Sequence, residues 1–215
     1  VIAGGRRARA CYSGASVQSS PRHSLPLDLV ASRLAAHEPD DPSDLLVGSR
    51  AAVAAILRFD RGATEVLLIQ RSERPGDRWS GQVALPGGRF DDTDRDLLHT
   101  AIRETREEVG LDLERGARVL GRLGATRAVA KGKVLPMTIT PYVFHLEQEQ
   151  PVVLNAEATA HFWLPLDVAA TGALDAPYDY RFGPVPMTLP SWRYEGRTVW
   201  GLTHKMLGGL LGVVR

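Results

Sequence analysis

The stretch "RETREEVG", residues 103–110, places three carboxylates, Glu104, Glu107 and Glu108, at helical spacing. Like charges three or four residues apart on a helix repel and cost stability. Either that face meets only water, or something positive belongs against it. Carboxylate oxygens suit a hard divalent cation. Magnesium takes one or two of them, and waters and substrate phosphates complete its shell. The chemistry on offer is therefore a metal site shared with a phosphate-bearing ligand. A plain solvated glutamate face is the ordinary alternative for such a cluster.

The element that must carry these side chains is a helix predicted over residues 95–109. With Leu98 at zero on a helical wheel, Ala101, Ile102, Thr105 and Val109 fall within about 60° of it and form a buried stripe. Glu107, Glu104 and Glu108 fall at about 180°, 240° and 280°, so they share one arc, with Glu108 at the border of the stripe. Arg103 lies four residues before Glu107, where it can pair with a carboxylate, and Gly110 is placed to cap the helix. Immediately upstream, "ALPGG" permits a tight turn that brings bare backbone close to an ion or phosphate.

The rest of the chain must hold that turn and helix in place. "LPLDLVASRLAAHEP" (25–39) reads as a short amphipathic helix. "AAVAAILRF" (51–59) and "EVLLIQR" (65–71) read as strands joined by the turn "DRGAT". "SERPGDRWSG" is a loop, and "QVALPGG" is a strand broken at Pro86. "ARVLGRLGATRAV" and "LPMTITPYVFHLE" read as two more strands, and "AHFWLPLDVAATG" as a strand entering a helix near Pro165. "PYDYRF", "MTLPSWRYEG" and "RTVW" are short strand pieces. "WGLTHKMLGGLLGVV" is a closing helix weakened by Gly208 and Gly209. Alternating strands and helices predict a mixed α/β layer structure.

Bulk properties narrow the classes. The 215 residues are 44% hydrophobic and 24% charged, enough for a substantial core. A net charge of +1 gives no global pull toward nucleic acid or an anionic membrane. The single cysteine, Cys11, excludes an internal disulfide framework and a multi-thiolate zinc site, and no apolar run approaches a membrane span. Residues 1–24 carry Arg6, Arg7, Arg9 and Arg22 with no acid, which reads as a flexible tail or, as the second reading, a transit segment.

The turn and helix together resemble the Nudix box: glycine, five residues, glutamate, seven residues, then R-E-U-x-E-E-x-G-U, where U is bulky and apolar. Here Gly88 is followed by Arg103, Glu104, Thr105, Arg106, Glu107, Glu108, Val109, Gly110 and Leu111. Thr105 replaces a bulky residue. The spacing is one residue longer, and no glutamate holds the early position, where Asp94 or Asp96 stands in. "LLIQRSERPGDRWSGQVALPGG" and "TVWGLTHKML" resemble the coenzyme A pyrophosphatase branch. "AEATAHFWLPL" is similar to the Nudix segment with a glutamate six positions before a tryptophan, here Glu157 and Trp163.

The resemblance implies a Nudix fold, an α/β/α sandwich with a mixed central β-sheet, in one domain over residues 25–215. It implies Mg2+ or Mn2+ held by Glu104, Glu107, Glu108 and a backbone carbonyl near Gly88, with Arg103 orienting a glutamate. Glu104 and Glu157 are both candidates for the general base. Arg71, Arg78, Arg127 and Lys133, with Arg74 and Lys131, are candidates to meet substrate phosphates. Trp79, Tyr178, Tyr180 and Trp192 could stack on adenine or belong to the core. His99, His161 and His204 receive no catalytic role. The implied reaction is hydrolysis of coenzyme A or acyl-coenzyme A to 3′,5′-ADP and 4′-phosphopantetheine. The same chemistry on ADP-ribose or a dinucleotide, and a non-catalytic nucleotide-binding module, are the alternatives. The expected partner is a small nucleotide and not a nucleic acid or a membrane. A homodimer is compatible with this reading, and the expected compartment is the cytoplasm, or an organellar matrix if residues 1–24 are a transit segment.

Overall fold

A computed structural model describes residues 25–41, 48–130, 132–182 and 185–215. The expected tail, residues 1–24, and Lys131 lie outside the described residues. The chain opens with α1 (Leu27–Ala35), which buries Leu27, Val30 and Leu34 at the predicted helical spacing. Strands β1 (Ser49–Asp60) and β2 (Ala63–Arg71) form the expected hairpin, with Asp60 opposite Ala63. Its two turn residues, Arg61 and Gly62, both have positive φ, the backbone that matches the twist of a two-residue hairpin.

Next come β3 (Val83–Ala84) and β4 (Gly87–Arg89), separated by the break at Pro86, then α2 (Leu97–Val109) and α3 (Leu113–Gly116). Strands β5 (Ala117–Arg122) and β6 (Thr126–Ala130) both run antiparallel to the long β7 (Lys133–Leu146). The sequence reading took 117–129 as one strand. The break arises because Arg122 and the Ala125 N–H both bind Asp41, at 2.8 and 2.9 Å, pulling residues 122–125 toward the segment that follows α1. After β8 (Ala158–Pro165) and α4 (Leu166–Ala170), strands β9 (Asp175–Phe182), β10 (Val185–Tyr194) and β11 (Arg197–Trp200) make their own three-stranded antiparallel sheet. Helix α5 (Gly201–Val214) closes the chain, with Gly208 and Gly209 on its exposed side.

The central sheet is mixed. β1 runs parallel to β7, from Ser49 opposite Met137 to Leu57 opposite His145, and antiparallel to β2 and β4. Strand alternation sends successive side chains to opposite faces, and both faces of β1 and β2 are buried. Ala52, Ala54, Ile56, Leu67 and Ile69 pack with Ala101 and Val109 of α2. Ala55, Leu57, Val66 and Leu68 pack with the layer of α1 and α5, including Val30, Leu34, Leu207 and Leu210. This is the expected helix–sheet–helix layering. Ile56 and Leu67 are fully buried, and truncating either to alanine costs about 2–5 kcal/mol. Helix α2 is thereby pinned along one face, and its glutamate arc is carried over the end of β1 and β4.

Candidate active site

Helix α2 begins where Asp96 accepts the His99 N–H at 2.8 Å and ends at Gly110, whose φ of 73° closes a left-handed cap. The predicted start at 95 moves to 97 because Asp96 acts as the cap. Thr100, Ala101, Thr105 and Val109 are buried as a stripe together with Glu108, whereas Leu98 and Ile102 are half-buried at its edge.

Each glycine of the turn has a separate reason. Gly87 has φ 150°, and a Cβ there would run into the Ala52 carbonyl and Val53, so β4 could not approach β1. A Cβ on Gly88 would overlap the carboxyl group of Glu104. The Gly87 N–H donates to Glu108 Oε2 at 2.9 Å, which ties turn to helix.

Arg103 is the hub of the acidic edge. Its Nε and Nη2 meet the two oxygens of Asp94 at 2.9 Å each, while Nη1 reaches Glu104 Oε1 at 3.0 Å and Glu107 Oε2 at 3.3 Å. Nη2 also donates to the Arg89 carbonyl at 3.1 Å. With its donors turned to protein, Arg103 positions carboxylates. The two aspartates that could stand in for the missing early glutamate divide the work: Asp94 holds Arg103 and Asp96 caps the helix. The Asp94 side chain is fully buried. Hydrogen bonds from Arg103 hold its carboxyl well below the usual range, against the opposing effect of burial, with help from Asp91, Thr100 and His99. The same ion pair pushes Arg103 up.

Glu108 is the most strained carboxylate electrostatically. Its side chain is 3% exposed. Burial pushes its pKa up to about 7, the Gly87 N–H and Arg71 pull the other way, and the charges of Glu104 and Glu157 add to the rise. Burial also raises Glu104, partly offset by Arg103. Glu157 arrives from elsewhere in the chain. The last carbonyls of α2, which a helix leaves without internal partners, accept from Val153 and Asn155 at 2.9 and 3.1 Å. The Asn155 side chain accepts the Glu157 N–H at 2.7 Å, and Ser72 N–H binds the Glu157 carbonyl at 2.8 Å. Arg74 pairs with the Glu157 carboxylate at 3.3 Å.

Glu104, Glu107, Glu108, Glu157, Gly87, Gly88 and Arg71 line one cleft of about 460 Å³. Its lining also has an apolar part, with Leu85, Ile139, Leu202 and Met206. The last two come from α5, which Thr203 fastens to the Val83 carbonyl at 2.9 Å. Arg78 lines a neighbouring hollow with Arg89. Arg127 and Lys133 lie on the β6–β7 hairpin and line neither space. Trp79 borders both spaces. Trp192 is buried against His204, and Tyr178 and Tyr180 pack on Trp200 in the small sheet. Sequence reading missed Arg89 and Asp77, whose only signal was their adjacency to the Gly-Gly turn and the preceding loop.

Among the described residues, no three carboxylate, histidine or cysteine side chains converge into a ready cage for a cation. The cause is local: Arg103 draws Glu104 and Glu107 to itself, and Arg71 faces Glu108 at 3.6 Å. The donor set is nonetheless all oxygen, and a buried carboxyl repelled by two neighbours gains from a cation. Magnesium needs only one or two carboxylates beside waters and phosphate oxygens. The residues fit a hard divalent ion.

Residues 48–183 match the family model of the NUDIX domain. The chain is 35% identical over 154 residues to the mitochondrial coenzyme A diphosphatase NUDT8 of Homo sapiens, covering 71% of this chain. It is 35% identical over 182 residues to the uncharacterized Nudix hydrolase NudL of Citrobacter koseri, covering 84% of this chain. The chain spans 90% of the Citrobacter protein, 64% of the human one and 32% of a Schizosaccharomyces pombe relative. The crystal structure of a MutT/nudix family protein from Enterococcus faecalis shares the fold, with a TM-score of 0.52 and 17% identity over 90% of this chain and 71% of that one. Nudix enzymes generally use divalent metal cations, and it is to the Nudix family that the chain belongs.

Proposed function

We propose that the cleft hydrolyses the pyrophosphate bond of coenzyme A or an acyl-coenzyme A, giving 3′,5′-ADP and (acyl-)4′-phosphopantetheine, with Mg2+ or Mn2+. The observation that carries this reading is the gathering of Glu104, Glu107, Glu108 and Glu157 with the Gly87–Gly88 turn on one cleft that is also lined by apolar side chains. Coenzyme A is favoured by the resemblance of "LLIQRSERPGDRWSGQVALPGG" to that branch and by the printed activity of the human relative.

Glu104, Glu107, Glu108 and the carbonyl near Gly88 would hold the ion. When bound, a divalent cation neutralises charge developing on phosphate oxygens and makes water a better nucleophile. Phosphoryl transfer asks the protein chiefly for positioning and electrostatic stabilisation. Water attacks one phosphorus, the bridging P–O bond breaks, and the other phosphate leaves with that oxygen. The water proton passes to a carboxylate, for which Glu104 and Glu157 are the candidates. Arg103 keeps Glu104 and Glu107 on the cleft side of the helix, and Arg78 is assigned to substrate phosphates ahead of Arg71, which Asp77 already neutralises, and ahead of Arg127 and Lys133.

A substrate panel tests the reading: coenzyme A, acyl-coenzyme A, ADP-ribose and a dinucleotide, each with Mg2+ and Mn2+, with products resolved by phosphate position. Faster turnover of ADP-ribose than of coenzyme A would transfer the protein to the other class. Among the described residues no helix is long and apolar enough to cross a membrane. The cytoplasm, the compartment expected from the sequence, is kept as the first reading of location. The human relative's mitochondrial name supports an organellar matrix as the second reading.

A further inference from the structure

The arginines around the cleft fall into two groups. Arg71 pairs with Asp77 at 3.0 Å, Arg74 with Glu157 at 3.3 Å, and Arg103 with Asp94 at 2.9 Å. Their charge is spent within the protein. Arg78 and Arg89 are exposed and have no ion-pair or hydrogen-bond partner for their side chains among the described residues. Both line one hollow of about 420 Å³ beside the cleft. Asp77, Trp79, Arg89 and Met137 border cleft and hollow alike, so one ligand can span the two.

The backbones that present these two side chains are fixed, although the side chains are uncommitted. Asp77 Oδ1 accepts the Trp79 N–H at 3.0 Å, which locks the turn around Arg78. The Trp79 indole donates to the Val129 carbonyl at 3.3 Å and fastens the loop to β6. Arg89 sits opposite Ala51 in the sheet, and its carbonyl is held by Arg103. The one carboxylate on the hollow, Asp77, is offset by Arg71, and its pKa is lowered by the Trp79 N–H and Arg71 against the cost of burial. Two unneutralised guanidiniums bordering one concavity repel each other and focus a positive potential there. A phosphate dianion relieves this, because the planar fork of arginine matches phosphate oxygens in pairs.

We infer that Arg78 and Arg89 form a second anion subsite, which takes a phosphate monoester on the nucleoside part of the ligand while the diphosphate lies among the glutamates. The inference rests on the reading that the cleft accepts nucleoside diphosphate derivatives, and it narrows them to those carrying an extra phosphate.

Calorimetric titration of the intact protein with adenosine 3′,5′-bisphosphate and with 5′-AMP tests it without requiring turnover. The bisphosphate is expected to bind about tenfold tighter, a difference of about 1.4 kcal/mol. Arg78→Gln and Arg89→Gln are each expected to bring the two affinities within about threefold. Arg193→Gln, a control at an exposed position of β10 that lines neither cleft nor hollow, is expected to keep the preference. Both cleft-side arginines are exposed and unpaired, so unfolding midpoints should match the parent. Equal affinities in the parent, or a preference that survives in both variants, overturns the subsite. Failure to hydrolyse coenzyme A with the preference intact would instead sink the reaction assigned above and leave the subsite standing.

Discussion

Asp94 and Arg103, nine residues apart, meet through two nitrogen–oxygen contacts of 2.9 Å, with the aspartate fully buried. This pair sets the direction of the whole acidic edge, because the guanidinium that grips Asp94 also grips Glu104 and Glu107.

Asp94→Ala leaves the arginine without its buried partner, and losing one member of such a pair costs about 3 kcal/mol. The Asp94 pKa is depressed in the fold, so the pair's contribution is fully present above the ordinary value of 3.8 and is lost as pH falls through the lower folded value. Denaturant unfolding from pH 7 to pH 2 should show the parent losing stability below pH about 4, with a flatter acid limb for Asp94→Asn.

Glu108 has the opposite sign. Its folded pKa of about 7 lies above the ordinary glutamate value of 4.5, so the metal-free fold loses stability as pH rises between those values. The charging penalty above pH 7 is about 3 kcal/mol. Glu108→Gln keeps an acceptor for the Gly87 N–H and removes the charge. The variant should melt higher than the metal-free parent at pH 8 and at the same temperature at pH 4. It should also lose turnover by at least about a thousandfold and lose the Mg2+-dependent rise in melting temperature. A variant that hydrolyses at the parental rate removes Glu108 from the metal site.

The two glycines of the turn separate folding from function. Gly87→Ala drives a methyl into the backbone of β1, so it should cost at least about 3 kcal/mol of stability by strain. Gly88→Ala displaces only the Glu104 carboxyl. It should leave the unfolding midpoint within about 1 kcal/mol of the parent and weaken Mn2+ binding about tenfold, as read by calorimetry.

The choice of general base is also open to measurement. Glu104 is held by Arg103 and pressed on Gly88, whereas the Glu157 carboxylate is 44% exposed and, among the described residues, is held by Arg74 alone. Glu157→Gln is therefore expected to lower kcat by about a hundredfold or more while Mn2+ affinity changes little. A parental kcat would move the role to Glu104.

Much of the fold and of the acidic site is legible in the sequence alone. The hairpin at Arg61–Gly62, helix α2 with its cap at Gly110 and the shared arc of Glu104, Glu107 and Glu108 follow from periodicity and turn chemistry, which are local properties of the chain. So does the crowding of charge that makes a cation the sensible occupant. Local pattern could not reach the division of labour between Asp94 and Asp96, because it depends on which aspartate the Arg103 side chain folds back to meet. Nor could it show that 117–129 breaks in two, since the cause is Asp41, on the far side of the sequence.

What the sequence by itself determined is the acidic helix edge, the turn before it and the strands and helices that carry them, because spacing along one element dictates which side chains share a face. Only the tertiary structure decided the cleft. Glu157 joins it through the free carbonyls at the end of α2, α5 supplies its apolar wall, and Arg71, Arg74 and Arg103 are neutralised while Arg78 and Arg89 are not. Those outcomes depend on burial and on partners distant in the chain, which no run of neighbouring residues encodes.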